Sequence, residues 1–227
     1  MEATAPAPLA PAALLLVDVQ NGTCGPAGPA GNAEATPLPP SPRPPRPPGF
    51  DAHFQEAVLP RLEQALEHAR SSGLEVIHTV IANLTADGRD RSLDYKRSGL
   101  GFAPGSWEAR VIEALAPRPD ELVLPKSSSS PFHSTNLDYI LRNIGITELV
   151  VAGLLTDQCI DHTVKDAADR GYGVTCLIDA CMAESAERHR AALSCFRGYC
   201  RELRVAEFTS SLSGRDQRPA PADHPPR

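Results

Sequence analysis

Short apolar runs alternate along this chain with stretches of helical periodicity, and that alternation constrains the fold more than any other feature. Runs over 13–17, 74–82, 121–124, 147–153 and 173–179 read as strands. Between and after them lie amphipathic stretches starting at Phe54 and over 107–115, 136–143, 159–170 and 186–199, with Ser106, Thr135 and Ser185 placed as N-caps. A short sixth strand, at an edge, is expected over 203–205. Strands alternating with helices imply right-handed crossovers and a sheet covered on both faces. The expected class is therefore α/β: a three-layer α-β-α, Rossmann-like architecture around a mostly parallel sheet of five or six strands.

In such sheets ligands bind outside the carboxyl ends of the strands, near the switch in strand order. Three chemically useful residues stand at strand ends. Asp18 follows the first run, Lys126 follows the third, and Cys159 opens the helical stretch after the fourth. A thiol at the mouth of a strand-to-helix turn sits where backbone N–H groups stabilise a thiolate and an oxyanion. Each residue has an ordinary alternative: Asp18 as a turn residue, Lys126 as a solvated charge, Cys159 as inert core. Together they form a base, a cation and a nucleophile converging on one sheet edge.

The 227 residues suit one domain. It is expected over 12–212, between a flexible N-terminus (1–11) and a disordered tail (213–227). Ten prolines between Gly25 and Gly49 preclude regular structure there. The stretch 25–49 reads as a Pro-rich insertion, either a linker or a polyproline ligand; as a linker, residues 26–47 could be deleted with little effect on activity. A net charge of −6 argues against a nucleic-acid partner or an anionic membrane. No apolar run approaches a membrane span or a signal-peptide core. The six cysteines include no C-x2-C pair, so free thiols and a cytoplasmic setting are expected, without structural zinc.

Three motifs carry a family resemblance. Leu15-Leu16-Val17-Asp18-Val19-Gln20, then Pro125-Lys126 with Phe132 six residues on, then Gly153-Leu154-Leu155-Thr156-Asp157-Gln158-Cys159 occur in order on the expected elements. Asp166-Ala167-Ala168-Asp169-Arg170-Gly171-Tyr172 and Asp179-Ala180-Cys181 fit the same pattern. The chain resembles the isochorismatase-like cysteine hydrolases over roughly residues 12–206. The resemblance implies an Asp18-Lys126-Cys159 triad. It also implies a non-proline cis peptide at Leu154-Leu155 and an oxyanion hole formed by the Leu155 and Cys159 N–H groups.

Within that superfamily, ether-cleaving isochorismatases do not need the cysteine, and this chain keeps it. Nicotinamidases carry an Asp-x-His metal motif after the second strand. Here that region runs His78-Thr79-Val80-Ile81-Ala82-Asn83, so no metal and no cofactor is expected, and His78 reads as a core residue. The loop 83–105 and the Ser127-to-Phe132 segment look more like the ureidoacrylate and carbamoyl-type amidohydrolases. The expected partner is a small-molecule amide or ureido substrate, handled by a homo-oligomer. Placement suggests Gln20, Asn21, Tyr95 and Phe132 as substrate-binding candidates. A Cys159–His162 dyad is disfavoured, because His162 lies one turn deeper along the helix. The rivals are ether hydrolysis, nicotinamidase activity and a catalytically silent scaffold. Elevated reactivity of Cys159 toward iodoacetamide near neutral pH is expected to exclude the scaffold.

Overall fold

A computed structural model describes residues 11–25 and 46–213. Nearly all of the expected flexible N-terminus, Pro-rich insertion and tail lies outside the described residues. Six parallel strands form one sheet: β1 (Ala12–Val17), β2 (Glu75–Ile81), β3 (Leu122–Lys126), β4 (Glu148–Leu154), β5 (Gly173–Met182) and β6 (Arg201–Leu203). The order is β3-β2-β1-β4-β5-β6. The chain starts at the centre, builds outward to β3, then returns to the other side of β1. The switch in order therefore falls between β1 and β4.

The helices are α1 (Asn21–Cys24), α2 (Phe50–His53), α3 (Leu59–Ser71), α4 (Leu93–Ser98), α5 (Pro131–Ser134), α6 (Leu137–Asn143), α7 (Asp161–Asp169), α8 (Ala186–Ser194) and α9 (Val205–Ser213). They cover both faces. Leu14 and Leu16 of β1 pack with Leu62, Ala65 and Leu66 of α3 and with Phe208 of α9. Ala13, Leu15 and Val17 point the opposite way, into a cluster with Leu137 and Leu141 of α6 and Val164 and Ala167 of α7. Burial on both faces is why β1 reads as a continuous apolar run rather than an alternation. Pro125, which cannot donate to a ladder, is tolerated because β3 is an edge strand.

Three local expectations are corrected. No α-helix forms over 107–115: Val111 makes an antiparallel bridge to Gln20, and only Glu113–Leu115 coils as a 3-10 turn. The carbonyls a helix would need are taken by the segment after β1. Asn21 N–H donates to Arg110 O at 2.9 Å, and Gly22 N–H to Glu108 O at 2.9 Å. The polar loop 83–105 contains α4, which carries Tyr95. The last strand ends at Leu203, and Val205 begins α9 instead of ending a strand.

Candidate active site

Asp18, Lys126 and Cys159 come together at the carboxyl edge of the sheet. Asp18 directly follows β1 in a left-handed conformation, φ 56°, which aspartate tolerates better than most residues. Its N–H donates to Thr79 O at 3.0 Å, and Thr79 Oγ1 donates to Asp18 Oδ1 at 3.0 Å. Thr23 Oγ1 donates to the Asp18 carbonyl at 2.5 Å. Lys126 ends β3, two strands away, and its long stem crosses the end of β2. Its Nζ lies 2.8 Å from Asp18 Oδ2 and donates to Tyr95 OH at 3.0 Å, Ser128 O at 2.9 Å and Cys159 Sγ at 3.3 Å. Asp18 is 1% exposed and Lys126 is fully buried, so each charge depends on the other.

Cys159 lies within a π-helical turn, Thr156–Ile160, which leads into α7, rather than at the first turn of an α-helix. Such turns are rare and concentrate at functional sites. The strand feeding it turns sharply at Gly153, φ 126°, where a Cβ would come within 2.2 Å of Val17 O. Only glycine lets β4 pass so close to β1. The Leu154-Leu155 peptide that follows is cis. Leu154, Leu155 and Cys159 line a cavity of about 300 Å³, together with Asp18, Thr23, Ile81, Phe102 and Gln158.

The electrostatics define a resting state. Burial pushes the Cys159 thiol up; Lys126 opposes that and Asp18 adds to it, with the result at about 12. Burial alone would pull Lys126 down, but Asp18, with Cys159 beside it, holds its ammonium well above the usual lysine range. Burial likewise holds the Tyr95 phenol well above its ordinary value. At neutral pH Cys159 is therefore a thiol and Lys126 an ammonium. Ordinary alkylation near neutral pH therefore does not separate an active cysteine here from an inert one, contrary to the sequence-based expectation.

The substrate-binding candidates fare differently. Gln20 is fully buried, and its side chain is consumed by backbone: it donates to Ile81 O at 3.0 Å and Glu108 O at 2.9 Å, and accepts from Ile81 N–H at 2.5 Å. Asn21 donates to Trp107 O at 3.0 Å. Both are structural ties, not cavity groups. Phe132 is buried in the layer of α6 and α7, 5.9 Å from the Tyr172 ring centroid and under the Arg170 guanidinium at 4.9 Å. Tyr95 sits against the Asp18-Lys126-Cys159 cluster itself, its OH also 3.5 Å from Cys159 Sγ. His162 is exposed and bonds the Gln158 carbonyl at 2.9 Å, so it is no partner of Cys159. His78 is buried in β2, 3.4 Å from Glu121. Among the described residues no group of three or more His, Cys, Asp or Glu side chains is placed to hold a metal ion.

Three further residues have no motif to announce them. Thr79 holds Asp18; a polar side chain beside His78 inside a buried strand was its signal. Arg46 and Phe50, at the return of the Pro-rich stretch, also line the cavity. Deleting 26–47 would thus remove two cavity residues, Arg46 and Pro47, and that stretch is more than a linker at its end.

Residues 12–208 match the isochorismatase domain model. The chain is 32% identical to a ureidoacrylate amidohydrolase, RutB, of Methylobacterium radiotolerans, over 92% of this chain and 83% of that protein. Among solved structures, a cysteine hydrolase from Pseudomonas syringae pv. phaseolicola shares the fold with a TM-score of 0.74 at 24% identity, covering 93% of this chain and 97% of that one. N-carbamoylsarcosine amidase from Thermoplasma acidophilum aligns with a TM-score of 0.63 at 26% identity, covering 86% and 96%. Among the described residues no helix is long and apolar enough to cross a membrane.

Proposed function

The chain belongs to the isochorismatase family, and from that premise we propose that it hydrolyses a non-peptide C–N bond of a small amide, ureido or carbamoyl compound through a Cys159 thioester. The observation that carries this reading is the contact of Lys126 Nζ with both Asp18 and Cys159 at the cavity wall. The amidohydrolase names of the relatives support the bond class.

In the proposed reaction Asp18 takes the thiol proton as Cys159 Sγ attacks the carbonyl carbon. Lys126 stays charged and offsets the developing negative charge. The backbone N–H groups of Leu155 and Cys159 hold the oxyanion of the tetrahedral intermediate. Collapse breaks the C–N bond, and the proton on Asp18 passes to the departing ammonia or amine. Asp18, again a carboxylate, deprotonates a water that attacks the thioester; the acid leaves, and the thiol regains its proton. No redox step and no co-reactant beyond water is needed. Six free thiols fit a reducing cytoplasm, and the family resemblance supports a homo-oligomer, which sedimentation of the purified chain would reveal.

The test is ammonia release from a panel of ureido acids, carbamoyl amino acids, nicotinamide and biuret. At least one should be turned over by the wild type, with Cys159→Ala and Asp18→Asn both silent yet folded. Full activity in either variant would overturn the scheme. Vinyl-ether cleavage surviving in Cys159→Ala would favour the ether-hydrolase alternative.

A further inference from the structure

We propose that Tyr95 is a further catalytic residue: its phenol O–H donates to Cys159 Sγ, turns the thiol proton toward Asp18 and stabilises the negative charge on sulfur while that proton leaves. The inference rests on Cys159 being the nucleophile of the C–N hydrolase reading and adds a member to that site. It begins with α4, the helix of the polar loop. Its leucine, Leu93, is 61% exposed, whereas Tyr95 is 2% exposed. Burial of apolar area gives no reason to leave the leucine in water and take in a hydroxyl, which needs hydrogen-bond partners once buried. The start of α4 is tied to the residue after Lys126, since Ser92 N–H donates to Ser127 O at 2.9 Å. The phenol therefore enters the sheet edge beside the ammonium, and both of its partners belong to the reacting cluster.

Counting protons leaves one arrangement. An ammonium has three protons and accepts nothing. Those of Lys126 Nζ go to Tyr95 OH at 3.0 Å, Ser128 O at 2.9 Å and Cys159 Sγ at 3.3 Å. The Tyr95 oxygen is thus an acceptor toward Lys126, and its single proton goes to its other neighbour, Sγ, at 3.5 Å. With donors from Lys126 and Tyr95 on the sulfur, the thiol's own proton is left for Asp18. Asp18 Oδ2 pairs with the ammonium by charge at 2.8 Å and has no hydrogen-bond partner among the described residues. When the proton moves, the S–H bond breaks and an O–H bond forms on Asp18. Tyr95 keeps its own proton, because burial holds the phenol well above its ordinary value. Its bond to sulfur strengthens as the sulfur becomes anionic, and an interaction that grows along the reaction is the kind that lowers a barrier.

The experiment measures alkylation of Cys159 by iodoacetamide at pH 9, read by peptide mass spectrometry, beside ammonia release from the ureido and carbamoyl panel. Tyr95→Phe should slow alkylation about tenfold, the lower end for a hydrogen bond to a charged group because sulfur is a weak acceptor. The kcat for any panel compound should fall by about as much, with KM changed less than about threefold. A packing role has the opposite sign, since loosening the wall beside Cys159 exposes the thiol and speeds alkylation. Asp94→Ala removes the ties of α4 to Ser92 and Ser129 and leaves the phenol in place; it should not slow alkylation. 3-Fluorotyrosine in place of Tyr95, a stronger donor of nearly the same size, should speed alkylation about two- to threefold and decides the matter if Tyr95→Phe does not fold. Unchanged or faster alkylation in Tyr95→Phe, an equal slowing in Asp94→Ala, or no gain from the fluorinated residue would overturn the proposal. If no panel compound releases ammonia, the hydrolase reading fails separately, and the alkylation rates still decide the role of the phenol.

Discussion

Removing the buried cation should do two separable things. Lys126→Met keeps the stem and deletes the ammonium. Asp18 is 1% exposed, and the ammonium 2.8 Å away is its counter-charge. Breaking a buried pair from one side leaves an uncompensated charge and costs about 3–5 kcal/mol. For a domain of this size that corresponds to a drop in Tm of about 6–20 °C. A buried carboxylate without its cation is also driven toward its neutral form, and a neutral Asp18 accepts no proton from Cys159. General-base catalysis is worth about 10²–10⁴-fold, so kcat/KM should fall by about 10³-fold. Asp18→Asn strands Lys126 in the same way and should cost a similar amount of stability. The double variant removes both charges together. Replacing a buried ion pair with neutral groups is often close to neutral for stability, so the double variant should melt above both singles, with a coupling of about 2–3 kcal/mol. It will not return fully to wild type, because the Ser128 carbonyl still loses the donor it has at 2.9 Å. Urea and thermal unfolding of the four proteins give the cycle, and ammonia release gives the activity. Additive losses, or a Lys126→Met protein within about 1 kcal/mol of wild type, would show that the pair is not the unit described.

Two further predictions concern proton linkage. With the thiol at about 12, alkylation of Cys159 by iodoacetamide, followed by peptide mass spectrometry, should rise about tenfold per pH unit from 7 to 10; a plateau below pH 9 would contradict the burial argument. At the other edge of the sheet, burial pushes the Glu121 carboxyl up, but Arg70 outweighs it with paired bonds of 2.7 and 2.8 Å, leaving it at about 2. A folded value depressed from 4.5 contributes stability that is complete above pH 4.5 and lost as pH falls toward 2. The gap in unfolding free energy between wild type and Glu121→Gln should therefore shrink by about 3 kcal/mol across that range; a gap independent of pH would refute the linkage.

What was legible in the sequence follows from topology. Asp18, Lys126 and Cys159 each stand at or just beyond a strand end, and a parallel sheet gathers strand ends on one edge whatever the detailed packing. Their meeting needed no knowledge of register. Thr79 did: its bond to Asp18 depends on the alignment of Val17 with Thr79 in the β1–β2 ladder, which periodicity does not specify. Gln20 and Asn21 illustrate the opposite error. Polar residues beside a catalytic candidate look like ligand groups, yet a chain leaving β1 has backbone to satisfy. Their amides do so by binding 107–111, the segment whose own pattern suggests a helix. Arg46 was hidden for another reason. Its place on the cavity wall depends on where the chain re-enters after the Pro-rich stretch, and nothing in that composition fixes the point.

The thiol's position near 12 bears on how the proposed reaction proceeds. A preformed thiolate would compete with Asp18 for the single ammonium, and both would be buried. The arrangement avoids that conflict by keeping Cys159 protonated at rest, with the Lys126 ammonium 2.8 Å from Asp18. The second negative charge then appears only as Sγ bonds to carbon, when the proton has moved to Asp18 and the charge has moved on to the carbonyl oxygen. Lys126, within 3.3 Å of Sγ and 2.8 Å of Asp18, faces one unit of negative charge at each stage. Tyr95, whose hydroxyl touches both Lys126 and Cys159, keeps the ammonium aimed between its two partners while the charge passes. The burial that makes Cys159 a poor free nucleophile is thus the same burial that ties its activation to the arrival of a carbonyl.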